Sequence, residues 1–246
     1  MGSDEQNLAR HAAARAAMEM LPEGDTIGLG SGRAVWAVIE ALRDRWPSGP
    51  PLRAVCASSA TDTKAREAGI EVLELDGELA LSVAVDGADE VGPSLGLLKG
   101  GGGALLREKL VISAAERFVC VAETAKLVPR LGATRGLPVE VARFAWRDTR
   151  RRLLESGLVG DAVLRVQRDG EPYRTDEGHH ILDCAIPERA DDLAPGAALG
   201  APEANLRAWG ATLAAVPGVM EHGLFIDMAD VVLLGTPEGE LETLQA

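Results

Sequence analysis

Apolar runs and polar breaks alternate along this chain at the spacing of an α/β protein. Asn7 to Leu21 is alanine-rich and reads as a helix, stopped by Pro22 and Gly24. Thr26 to Leu29 reads as a short strand, and Ala34 to Arg45 carries Val35, Val38, Ile39 and Leu42 at helical spacing. After the Pro-rich break at Pro47 to Pro51, Leu52 to Cys56 is a strand, Thr61 to Ala68 a helix closed by Gly69, and Ile70 to Leu75 a strand. Leu81 to Val85 is a continuous apolar run, the pattern of a buried parallel strand. Leu95 to Leu98 is a second short apolar segment, Ala104 to Ile112 reads as a helix, and Arg117 to Ala122 as another buried strand. These alternations predict an α/β fold, a Rossmann-like open parallel sheet with helices on both faces.

From about Leu137 the pattern changes. Val139 to Ala145 alternates, Arg147 to Ser156 is a charged helix, and Ala162 to Gln167 is a strand ending in the turn Arg168-Asp169-Gly170-Glu171. A further turn at Asp176-Glu177-Gly178 precedes a strand over His180 to Ala185. Ala204 to Val216 is a helix closed by Pro217-Gly218, and Val219 to Ile226 reads as one strand. The order β-α-β-β-α-β predicts a smaller ferredoxin-like α+β domain. Asp230 to Leu234 should return to the first sheet. The expected division is therefore 1–136 with 226–246 for the Rossmann-like part, and 137–225 for the second domain. Pro187 to Pro202, rich in Ala, Pro, Gly and Asp, is expected to be an exposed loop, and no internal repeat is found.

The chemistry concentrates between Leu81 and Ile112. The first strand there runs into Asp86-Gly87-Ala88-Asp89-Glu90, the second apolar segment into Lys99, and four glycines, Gly100 to Gly103, precede the helix bearing Glu108. Strand ends and glycine loops before helices are where open α/β sheets place ligands. A positioned, desolvated Glu108 would move a proton between adjacent carbons of a sugar. Lys99 and the glycine amides would stabilise the enediolate left behind, and Asp86 and Asp89 would handle hydroxyl protons. Each feature also has a plain structural reading: a dipole-favoured glutamate, a turn, a flexible loop.

A second glycine turn, Gly30-Ser31-Gly32-Arg33, also opens a helix and has the geometry of a phosphate-binding turn. It is neither a dinucleotide fingerprint, whose third glycine would fall on Arg33, nor a P-loop, since no Gly-Lys-Ser/Thr follows.

The net charge of −13 over 246 residues argues against a nucleic-acid partner but leaves room for a small phosphorylated ligand, which needs only local cations. No apolar run is long enough to span a membrane, and the N-terminal residues do not read as a signal peptide. Cys56, Cys120 and Cys184 are isolated, as expected of reduced thiols in a cytoplasmic protein, and they do not cluster with the four histidines as zinc ligands would. His179 and His180 are expected at the surface or in a turn, outside catalysis. Asp86, Asp89 and Glu90 miss the spacing of a calcium loop, so no metal is expected.

Val85-Asp86-Gly87-Ala88-Asp89-Glu90 followed by Leu98-Lys99-Gly100-Gly101-Gly102-Gly103-Ala104-Leu105-Leu106-Arg107-Glu108-Lys109 resembles ribose-5-phosphate isomerase, type A. The likeness continues in Gly28-Leu29-Gly30-Ser31-Gly32, Pro138-Val139-Glu140-Val141, Thr175-Asp176-Glu177-Gly178, Ile181-Leu182-Asp183 and Gly218 to Phe225. It implies an isomerase interconverting D-ribose 5-phosphate and D-ribulose 5-phosphate, without a cofactor, and a homodimer or homotetramer. On that likeness the substrate would be bound by Ser31, Gly32, Arg33, Ala34, Asp86, Gly87, Ala88, Asp89, Lys99, Gly100, Gly101 and Gly102. Lys126 matches the family's phosphate lysine in spacing, and Arg10 falls where the family often has another cation. The chain departs from the family's usual Gly-Thr-Gly-Ser-Thr loop by placing Arg33 and Ala34 after Gly32. Either Arg33 takes over phosphate binding through its planar fork, or the substrate set has shifted, or Arg33 is simply solvated. The rivals are a non-catalytic sugar-phosphate sensor, which would normally carry a DNA-binding helix pair, and a coenzyme A transferase.

Overall fold

The computed structural model describes residues 2–186 and 202–245. The segment 187–201, most of the expected exposed loop, lies outside the described residues. In chain order the first part comprises α1 (Ser3–Met18), β1 (Thr26–Leu29), α2 (Arg33–Arg45), β2 (Arg53–Cys56), α3 (Ser59–Glu67), β3 (Glu71–Leu73), β4 (Ala84–Asp86), β5 (Glu90–Val91), β6 (Leu97–Leu98), α4 (Leu105–Ser113) and β7 (Phe118–Glu123). Then follow β8 (Leu137–Val141), α5 (Trp146–Glu155), β9 (Asp161–Leu164), β10 (His180–Ala185), α6 (Pro202–Ala214), β11 (Val219–His222), β12 (Leu224–Phe225), β13 (Val231–Gly235) and β14 (Leu241–Gln245).

The main sheet has the order β14-β13-β7-β4-β1-β2-β3. It is parallel except for β14, an antiparallel edge strand not anticipated from the polar-rich segment Leu241–Gln245. One face is covered by α1, α2 and α3, whose Ala13, Ala17, Val38, Ile39, Leu42 and Ala65 pack with Ile27, Leu29, Val85 and Val121 in one core. The other face takes α4, through Val111 and Ile112. From β1 the chain winds outward through β2 and β3, and from β4 it winds the other way through β7 and β13. The ends of β1 and β4 therefore flank a topological switch point, where open α/β sheets leave a crevice. The register sets Leu29 beside Val85, and the Gly30 amide donates to Val85 O at 2.9 Å.

The second sheet, β11-β8-β10-β9, is antiparallel throughout. This is the ferredoxin-like order expected from the element sequence. Two expectations change here. The strand expected over Val139 to Ala145 runs instead over Leu137–Val141 and is buried at every position: Leu137, Val139 and Val141 join the second core, and Glu140 is held by Thr175 and His179. The run Val219 to Ile226 is not one strand: β11 pairs with β8, whereas β12 pairs with β6 in a small third sheet. The break is at Gly223, whose amide donates to Pro138 O while its carbonyl accepts from the Lys99 amide, both at 2.8 Å. A Cβ at Gly223 would lie 2.2 Å from Lys99 O, so only glycine lets the two backbones meet.

Candidate active site

At the switch point lies a cavity of about 350 Å³. Its walls include Ser31, Gly32, Arg33 and Ala34 after β1, Gly87, Ala88 and Asp89 after β4, Lys99 to Gly102 after β6, Glu108 of α4, and Arg10 and Lys126. Segments that lie more than a hundred residues apart in sequence thus converge on one crevice.

Its floor is a buried ionic cluster. Lys99 Nζ lies 2.8 Å from Asp86 Oδ2 and 3.2 Å from Glu108 Oε2, and donates to Gly87 O at 2.5 Å. All three side chains are almost wholly buried. Burial works against the Lys99 charge, but Asp86 and Glu108 outweigh it and hold the ammonium above its ordinary range. Burial, with the Asp86 charge beside it, pushes the Glu108 carboxyl up to about 8 even though Lys99 pulls the other way. Asp86 Oδ2 and Glu108 Oε2 accept no properly directed hydrogen bond among the described residues, despite their contacts with Lys99.

Asp86 departs from its expected position. It does not line the cavity but sits beneath it, fully buried. Its Oδ1 accepts from the Ser31 amide at 3.0 Å and the Gly87 amide at 2.7 Å, and its Oδ2 faces Lys99. In this arrangement it orders the Ser31 turn, the Gly87 backbone and the lysine. Asp89 does face the cavity, with Oδ2 accepting from the Gly101 amide at 2.7 Å. Glu90 points elsewhere: it is fully buried and accepts from the amides of Gly132, Thr134 and Arg135 at 2.6, 2.6 and 2.8 Å. The three carboxylates therefore do not converge.

The glycine loop is built for close approach. Gly100 and Gly103 have φ of +101° and +85°, where side chains are strained, and a Cβ on Gly101 would lie 2.5 Å from Asp89 Oδ1. Only Gly102 has open space around its Cβ position, and it lines the cavity.

The mouth is cationic in an otherwise acidic protein. Arg33, the first residue of α2 rather than a loop residue, is exposed at the rim, and Lys126 is half-buried across from it. Arg10 is buried and held by Glu123 Oε1 at 2.8 Å and Asn7 Oδ1 at 3.0 Å. Three lining residues were not singled out from the sequence: Trp36, Glu123 and Arg135. Nothing local marks them; Glu123 ends β7 and is separated from Arg10 by 113 residues, and Arg135 reaches the rim because Glu90 holds its loop. Of the two histidines, His180 departs from the expected surface or turn position, whereas His179 follows the turn at 176–178 and is half-buried. His180 is buried on β10 with Nδ1 3.0 Å from Tyr173 O, and His179 Nδ1 lies 3.0 Å from the buried Glu140. Neither lines the cavity. Cys120 and Cys184 are buried on strands and Cys56 is half-buried, all as free thiols.

Comparison with known proteins agrees with this geometry. Residues 53–239 match the family model for ribose 5-phosphate isomerase A, also called phosphoriboisomerase A. A ribose-5-phosphate isomerase A of Thermomicrobium roseum is 42% identical over 233 residues, covering 94% of this chain and 91% of that protein. The solved ribose 5-phosphate isomerase A of Methanocaldococcus jannaschii superposes with a TM-score of 0.83 at 32% identity, covering 98% of this chain and 99% of the other. A D-ribose-5-phosphate isomerase solved in complex with phospho-erythronic acid superposes with a TM-score of 0.84 at 31% identity, with 100% of each chain covered. Sequence, fold and cavity thus agree that the chain belongs to the ribose 5-phosphate isomerase A family and is an aldose–ketose isomerase of ribose 5-phosphate.

Proposed function

We propose that interconversion of D-ribose 5-phosphate and D-ribulose 5-phosphate is carried out here by Glu108, which takes the proton from C2 of the open-chain aldose and returns it to C1. The observation that carries this reading is the buried Glu108 carboxyl on the cavity floor, 3.2 Å from the Lys99 ammonium. A carboxyl raised towards neutrality is well matched to accepting a proton and giving it back. As the C2 proton leaves, charge develops on O1; the Lys99 ammonium and the amide of Gly102 supply positive potential there. The hydroxyl proton moves from O2 to O1, and Asp89, whose Oδ1 remains available beside the loop, is placed to relay it and to assist ring opening. Asp86 contributes by holding Lys99 and the Ser31 turn. The proton stays on the substrate's own carbons, so the step requires no redox group.

The phosphate is held at the mouth by the Ser31–Gly32 turn, Arg33 and Lys126, with Arg10 adding charge from behind. Residues 1–136 with 226–246 form the catalytic domain, and 137–225 a second domain whose core, around Trp209, Leu153 and Leu182, is distinct from that of the main sheet. The working form is a cytoplasmic homodimer or homotetramer, and the strongly acidic net charge disfavours a nucleic-acid partner. No helix among the described residues is long and apolar enough to cross a membrane.

The test is ketose formation from ribose 5-phosphate by the parent and by Glu108→Gln. Turnover should fall by roughly a thousandfold or more in the variant, with sugar-phosphate binding largely kept. A variant retaining near-parent kcat would remove Glu108 from the chemistry, and a parent that binds ribose 5-phosphate without converting it would favour a sensor.

A further inference from the structure

Within its own domain the glycine loop is held by Asp89, which accepts from the Gly101 amide at 2.7 Å, and by the Gly103 amide, which donates to Gly100 O at 3.0 Å. The loop's carbonyl oxygens are gripped by two side chains of the ferredoxin-like part. Arg165 Nη1 donates to Gly100 O at 2.8 Å and to Gly101 O at 3.2 Å. Tyr173 Oη donates to Gly102 O at 3.1 Å. The guanidinium is itself fixed by a fork-to-fork pair with Asp183, Nε to Oδ2 at 3.0 Å and Nη2 to Oδ1 at 2.5 Å. Three successive peptide oxygens are therefore drawn towards β9, β10 and the loop between them.

The consequence follows from peptide geometry. Across a planar trans peptide the N–H points opposite to the preceding C=O. With Gly100 O drawn to Arg165, the Gly101 N–H is turned the other way, where it meets Asp89 Oδ2 at 2.7 Å. With Gly101 O drawn the same way, the Gly102 N–H is turned away from Arg165. It has no hydrogen-bond partner among the described residues, and Gly102 lines the cavity. A peptide flanked by glycines resists flipping weakly by itself, because glycine adopts either sign of φ with little cost.

We propose that Arg165, braced by Asp183 and assisted by Tyr173, is a positioning residue for catalysis: from the second domain it fixes the peptide orientation that aims the Gly102 amide at the oxygen on which charge develops. This rests on the enediolate reading of the site. Arg165 touches no reacting atom; it acts through the loop. A preorganised donor contributes most in the transition state, so its loss should appear in kcat rather than KM.

The experiment uses the full chain with Arg165→Met, Arg165→Lys and Tyr173→Phe, alongside Glu108→Gln. Arg165→Met should lower kcat by roughly thirtyfold or more, somewhat less than deletion of a whole oxyanion donor, with KM within about twofold of the parent. The pH at which the acidic limb of kcat falls should not move, because Glu108 keeps its neighbours. Inhibition by phospho-erythronic acid should weaken with kcat/KM. Arg165→Lys, which keeps a donor but not the fork, should recover part of kcat, and Tyr173→Phe should lose roughly three- to tenfold. If Arg165→Met does not fold, Arg165→Lys and Tyr173→Phe are read by the same kcat-against-KM split. Unchanged kcat in the folded variants, with Glu108→Gln inactive, would overturn the clamp and leave the proton-transfer reading standing. Activity in Glu108→Gln would overturn that reading instead.

Discussion

Lys99 Nζ stands 3.2 Å from Glu108 Oε2, yet that oxygen receives no aligned hydrogen bond among the described residues. The lysine donates to the Gly87 carbonyl and stands 2.8 Å from Asp86 Oδ2. Glu108 therefore sits beside the ammonium's charge inside a buried cluster, where burial and Asp86 raise its carboxyl and Lys99 opposes them.

This arrangement dictates the pH dependence of turnover. Glu108 must be ionised to accept the proton, so kcat/KM should rise with pH towards about 8, where burial and Asp86 have set the carboxyl. Lys99 lowers the Glu108 value, so Lys99→Met should move the acidic limb to higher pH. Asp86 raises it, so Asp86→Asn should move the limb lower while reducing kcat. Limbs that stay put in both variants would show that another group titrates.

The same shift links stability to pH. A carboxyl raised from 4.5 to about 8 on folding binds its proton more tightly in the folded chain. Its contribution is fully present below about pH 4.5 and is lost as pH rises towards 8. Glu108→Gln removes this dependence. Its melting temperature relative to the parent should therefore increase from pH 4.5 to pH 8, measured by thermal denaturation in matched buffers. A constant difference across that range would contradict the raised value.

Arg33 is exposed at the rim, away from the buried cluster. Arg33→Ser should raise KM for ribose 5-phosphate by roughly three- to tenfold, as a lost solvent-facing charge contact would, and leave kcat nearly unchanged. The KM difference from the parent should shrink at high salt. Comparison on several pentose and hexose phosphates checks whether Arg33 also sets substrate choice: a change in their ranking, rather than a uniform loss, would assign it to specificity.

Arg10 and Glu123 form an ion pair whose side chains are only 10% and 11% exposed. Removing one member leaves the other buried without its charge partner, which costs about 3 kcal/mol or more. Arg10→Met should lower the denaturant midpoint accordingly, and Arg10→Met with Glu123→Leu should recover much of the loss. Equal stability of the single and double variants would show that the pair is not coupled.

Much of this molecule was written into local patterns. Runs such as Thr26–Leu29 and Phe118–Glu123 report buried parallel strands because both faces of those strands are covered, and the helices between them follow their own periodicity. The glycine turns, Lys99 and Glu108 were legible because each lies at a strand end or the opening of a helix, where a parallel sheet leaves its crevice. Tertiary structure decided what depends on contacts distant in sequence. It split Val219 to Ile226 between two sheets, because Gly223 had to meet the backbones of Lys99 and Pro138. It turned Asp86 inward and Glu90 away, where residue type alone could not distinguish them from Asp89. It brought Arg165 and Tyr173 onto a loop more than sixty residues earlier, and Glu123 onto Arg10 across 113 residues. Periodicity records which face of an element is buried; only the packed chain determines which polar group lies opposite another.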